Sequence, residues 1–184
     1  MKGIRFVKKL LIVLSLLLVA SSAFAQRGYG PFVTDGTVVR WKSIVGEITS
    51  QGVDNPVSPR ISSGTFPWSV RRGNASVSLT SGATFFEVEG LVINGTTFSG
   101  TPGPVTAVTG TLVCNAGDPT CEMAFDTTPV PLNGRGNAIF SGFIQNIPNG
   151  CGNPLFLIRI STPTAAAGRW IATGVERLIR NIGQ

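Results

Sequence analysis

The chain of 184 residues contains no histidine. Without imidazole there is no Ser-His-Asp or Cys-His catalysis, no His-ligated zinc and no near-neutral switch built on that side chain. Three cysteines, Cys114, Cys121 and Cys151, are too few for a four-cysteine zinc site. Acidic residues number 9, tyrosine occurs once (Tyr29), and Lys42 is the one lysine after the first nine residues. There is no Walker loop, no Gly-x-Gly-x-x-Gly after a strand and no Gly-x-Ser-x-Gly elbow. The apolar run Leu10–Ala20 is too short to span a bilayer comfortably. These absences leave catalytic, cofactor-binding and metal residues unassigned, and no cofactor is expected.

What is present begins with an export signal. Lys2, Arg5, Lys8 and Lys9 precede the apolar run, and Ala23-Phe24-Ala25 follows it. A positive head, a short apolar middle and small residues at −3 and −1 read as a signal peptide over 1–25, cut after Ala25. Four of the 15 basic residues lie in that head, so the trimmed chain is close to neutral. Nucleic acid is therefore not expected as a partner, and no transmembrane segment is expected after cleavage. The expected location is extracytoplasmic, secreted or periplasmic.

The remaining chain divides into a flexible Gly-rich arm over 26–36 and one domain over 37–184. Thr, Ser, Asn, Gly and Pro are abundant, a composition of strands joined by tight turns. Ala75-Ser-Val-Ser-Leu-Thr80 alternates, turns at Ser81-Gly82, and continues into Ala83–Glu89, a hairpin pattern with Phe86 and Val88 inward. Further strands are expected over Thr37–Thr49, with Val39, Trp41 and Val45 sharing a face, and over Leu91–Ile93, Val105–Cys114, Cys121–Phe125, Asn137–Ile147 and Gly168–Gly174. Leu155–Ile160 is apolar on both faces and is expected to be a central strand. Pro129 and Pro131 confine their segment to an edge or loop. Val175, Leu178, Ile179 and Ile182 fall at helical spacing, so a short C-terminal helix is expected, with strand extension as the alternative. Short strands at regular intervals give an all-β fold, an antiparallel β-sandwich with a β-barrel as alternative.

Candidate sites are few. Cys114 and Cys121 flank a turn and are expected to form a disulfide across the mouth of a hairpin, leaving Cys151 odd. Trp68 beside Arg71 and Arg72 forms a possible surface patch for anionic ligands, because an aromatic and guanidinium groups together bind such headgroups. Glu87 and Glu89 share one strand face, a spacing open to glycoside hydrolysis with Asp126. Asp118, Glu122, Asp126 and Asn115 offer oxygen ligands around one loop, but without the calcium-loop order. Arg159, inside an apolar strand, needs a partner such as Glu87, Glu89 or Asp126. The expected function is non-enzymatic binding or structural association with a protein or glycan at the cell surface or in the periplasm. The alternatives are a small carboxylate-dependent hydrolase acting on glycans and a small-ligand carrier.

Overall fold

The computed structural model describes residues 36–57, 60–161 and 167–182. The signal-peptide reading over 1–25 and all but Gly36 of the arm lie outside these. Every regular element among the described residues is a strand: β1 (Gly36–Gly46), β2 (Trp68–Ser69), β3 (Arg72–Ser78), β4 (Ala83–Glu89), β5 (Val92–Ile93), β6 (Ala107–Cys114), β7 (Met123–Asp126), β8 (Val130–Pro131), β9 (Ala138–Phe143), β10 (Leu155–Ser161) and β11 (Trp170–Ile182). Nine of them form one antiparallel sheet in the order β7-β6-β10-β11-β1-β3-β4-β9, with β8 also on β6, and β2 pairs with β5 in a small second sheet. Pro131 sits in β8, a two-residue edge piece, where a missing N–H is tolerated.

The large sheet is curled into a half-barrel, and its side chains show how far. Phe86 on β4 and Phe156 on β10 are separated by three intervening strands, a distance of roughly 19 Å in a flat sheet. Their ring centroids are 5.8 Å apart. Phe140 stacks on Phe86 at 5.7 Å, and Trp41 meets Phe156 at 5.4 Å. Burying rings of this size contributes roughly 1.5–3 kcal/mol each. Two strand positions must lack a side chain for the rings to close. A Cβ at Gly110 would lie 2.7 Å from Phe86 and 2.8 Å from Phe156, and one at Gly174 would lie 2.6 Å from the Trp41 indole.

The β3–β4 hairpin forms with the expected faces: Ala75, Val77, Phe86 and Val88 are buried in the main core. Gly82 closes its turn at φ +74, a value a side chain resists. Strand β10 is interior, between β6 and β11, and buried on both faces. Phe156 and Ile158 enter the concave core; Leu157 enters a second, smaller core on the convex face with Ile61, Val113 and Trp170. The chain between β1 and β2 supplies Val57 and Ile61 to that outer core.

Two local expectations are corrected. The tail is not a helix: β11 runs through Val175–Ile182 and pairs with β1 from Gly36↔Ile182 to Gly46↔Ala172. Pairing satisfies the backbone of this segment, which a short helix alone would do poorly. Val45 does not share a face with Val39 and Trp41; it is exposed, and Ile44 is buried instead. The ladder is interrupted at Lys42 and Glu176, where Glu176 takes φ +53, and the inward parity of β1 changes across that break.

Candidate functional site

The expected patch does not share a surface. Trp68 is 4% exposed and belongs to the main core, because the second sheet folds it under the half-barrel. Arg71 and Arg72 lie outside, and both bind the Glu89 carboxylate. The Arg72 guanidinium, with Arg71 beside it, holds that carboxyl below its ordinary range. Glu87 accepts a hydrogen bond from Asn74 Nδ2 at 2.7 Å on the neighbouring strand. Asp126 lies near the far end of the sheet order, accepting from Thr111 Oγ1 at 2.6 Å and facing Arg159 Nη1 at 3.5 Å. Glu87 and Glu89 remain neighbours on one face of β4 while Asp126 lies on β7, and each of the three carboxylates has its own partner. Asp126 is the partner Arg159 needs; the same guanidinium also donates to the carbonyls of Ala167 and Gly168, both at 2.7 Å.

The disulfide is corrected. Cys114 is joined to Cys151, with 4.8 Å between Cα atoms, and Cys121 is a free, exposed thiol. The β6–β7 register decides this, because it sets Met123 opposite Cys114 and leaves Cys121 beyond the paired region. Cys114 is fully buried, and the β9–β10 connection brings Cys151 to it. Asn115, at φ +55, donates its amide to Gly152 O beside the bridge. Cys121 instead lies against Asp118. Hydrogen bonds from the Cys121 thiol and from Thr120 hold Asp118 well below the carboxylate range, and Asp118 in turn pushes the thiol up. Glu122 turns to the Gly117 amide at 3.3 Å. The oxygen-bearing residues of this loop therefore cap its turns, and among the described residues no three His, Cys, Asp or Glu side chains converge.

The titratable group with the most unusual surroundings is Glu47, which sequence reasoning passed over. It lies directly after β1, is 1% exposed, and neither carboxyl oxygen has a hydrogen-bond partner among the described residues. Its backbone is fixed on both sides: its amide donates to Ile171 O and its carbonyl accepts from Trp68 N, each at 2.9 Å. Gly64 presses on the carboxyl, since a Cβ there would lie 3.2 Å from Oε2 and 3.4 Å from Trp68 Nε1. Ser63 Oγ is engaged elsewhere, with Asn55 N at 2.6 Å, Gly64 O at 2.9 Å and Asp54 at 3.2 Å. Burial pushes the Glu47 carboxyl up to about 7, and nearby Asp54 adds to this. Ser63, the Gly64 amide and Arg169 pull the other way without prevailing. The one signal in the sequence was position: an acid inside Ile44-Val45-Gly46-Glu47-Ile48, with apolar residues on both sides.

A different kind of feature lies at the end of the sheet. Strand β9 has one neighbour, β4, and its other edge is unpaired among the described residues. Its inward residues Ala138 and Phe140 are buried, whereas Ile139 and Phe143 point outward, 62% and 57% exposed. No charged residue occurs from Ala138 to Ile144. Exposed edges are normally blunted by Lys, Pro or bulges, and here none of those devices is present. Comparison with protein-family models, curated proteins and solved structures finds no match to this chain.

Proposed function

We propose that the protein is exported and acts without catalysis, by association at the cell surface or in the periplasm, and that the β9 edge is where it associates. The single observation behind this is an open, uncharged strand edge carrying two exposed apolar side chains. Strand addition at such an edge draws affinity from main-chain hydrogen bonds and specificity from alternate side chains. The occupant that fits is a second copy of the chain. Antiparallel pairing of two β9 strands about Ser141 would set Ile139 of each copy opposite Phe143 of the other. That gives two apolar cross-strand pairs and no like charges in opposition. The signal-type head, the trimmed chain's near-neutral charge and a disulfide suited to an oxidising compartment support the location. The commitment of Glu87, Glu89 and Asp126 to local partners favours association over hydrolysis.

Light scattering coupled to size exclusion on Gln26–Gln184 tests this. A concentration-dependent dimer is expected, converted to monomer by Ile139→Lys with Phe143→Lys. Both positions are exposed, so folding is expected to survive. A wild-type chain that stays monomeric at high concentration refutes self-association through β9.

A further inference from the structure

We infer that the strip Ile61–Gly64, which lies alongside the start of β11, is a latch released by ionisation of Glu47. Among the described residues, three hydrogen bonds hold the strip to Arg169 and Trp170 at the start of β11. Trp170 N donates to Ser62 O at 3.0 Å, Gly64 N donates to Trp170 O at 2.7 Å, and Arg169 Nη1 donates to Ser63 O at 2.7 Å. Against its Gly64 end lies the Glu47 carboxyl, walled also by Ile171 and Trp68 of the main core and without a hydrogen-bond partner among the described residues. The charged groups facing it are Asp54 from the chain between β1 and β2 and Arg169 from the start of β11; β2, through Trp68 and Ser69, brings none. Asp54 and Arg169 are themselves 3.7 Å apart, so the positive charge is shared with a second carboxylate.

A carboxylate cannot remain charged in an apolar pocket without donors; it holds its proton or gains water. Two of the three walls, Ile171 and Trp68, cannot yield readily. Glu47 is pinned to β11 and β2 through its own backbone, and Ile171 lies in the middle of the large sheet. Gly64 belongs to the strip, which forms isolated bridges rather than a continuous strand; Ser63 bridges Trp170. Lifting the strip hydrates the carboxylate and uncovers Ile61, Leu157 and Trp170, an apolar surface on the face opposite the concave core. The elevated pKa of Glu47 agrees with a closed form that holds the proton.

Hydrogen exchange on Gln26–Gln184, corrected for intrinsic rate and read at the Gly64 and Trp170 amides, tests the coupling, with Val77 and Phe86 as controls. If only the open form ionises normally, protection of the latch amides falls about tenfold per pH unit between the ordinary carboxyl pKa and about 7, then levels off. The control amides keep their protection. Glu47→Gln is expected to abolish the pH response. Asp54→Asn removes a charge that presses on Glu47 and is expected to bring the levelling-off to lower pH. Latch protection independent of pH, or a response that persists in Glu47→Gln, overturns the inference. Should Glu47→Gln fail to fold, the Asp54→Asn shift decides, and no shift or an upward one overturns it.

Discussion

On its concave side strand β10 presents Phe156 and Ile158 to a core of Trp41, Phe86 and Phe140, ring against ring, with glycines where rings must pass. On its convex side the same strand presents Leu157 to a handful of apolar residues and Arg159 to Asp126 and two carbonyls. The concave core joins residues far apart in sequence. The convex core is small and is roofed by irregular chain that carries Val57 and Ile61. Aromatic packing is intolerant of lost volume because a cavity cannot collapse. A roof of loop can settle or lift at lower cost. One sheet thus carries a face that fixes the shape and a face that can change.

Truncation on the two faces measures that difference most directly. Phe86→Ala is expected to cost about 4 kcal/mol, and Leu157→Ala about 2.5 kcal/mol, by chemical denaturation. Equal costs, or a larger one at Leu157, would break the distinction. The disulfide ties the end of β6 to the β9–β10 connection across 37 residues of sequence. Cys151→Ser should therefore cost about 3 to 4 kcal/mol in the chain-entropy picture. Cys121→Ser should stay within about 0.5 kcal/mol, as surface changes usually do. Non-reducing peptide mapping that recovers a Cys114–Cys121 pair would restore the hairpin bridge. Titration of Glu47 supplies a pH-dependent effect of intermediate size. Folded Glu47 holds its proton up to about 7 while the unfolded carboxyl releases it near 4.5. The native state binds more protons across that window, so stability declines as pH rises through it, by roughly 2 to 3 kcal/mol, and is flat above. Glu47→Gln should remove that slope. Glu89 and Asp118, both lowered, act oppositely and only in more acid solution, where their stabilisation is lost as pH falls.

Most of the strand plan was legible because alternation survives wherever one face is wet. Ala75–Thr80 and Ala83–Glu89 read directly, as did the two-sided apolar run of β10. The tail misled for a physical reason. The break at Glu176 interrupts the two-residue period of β11, so Val175, Leu178, Ile179 and Ile182 fall at helix-like intervals although Leu178 and Ile179 are exposed. The cysteine pairing was illegible because it depends on which residue faces Cys114, and a two-residue difference in register between Cys121 and Met123 decides that. Trp68 read as a surface residue because its neighbours Arg71 and Arg72 are charged; only the β2–β5 pairing turns it inward. Glu47 was hidden for the opposite reason. A single acid in an apolar stretch looks like a strand end, and its isolation arises from Gly64, 17 positions away.

The antiparallel match of Gly36 with Ile182 puts the first and last strand residues of the sheet side by side, at one end of its two central strands. Anything fused ahead of β1 or behind β11 would leave from that same point. A short peptide could join the two without disturbing the ladder, and new ends could be opened at the exposed turn around Asn94-Gly95. The molecule is in that sense a ring with a removable clasp, and a carrier attached at either side would hold it in the same orientation.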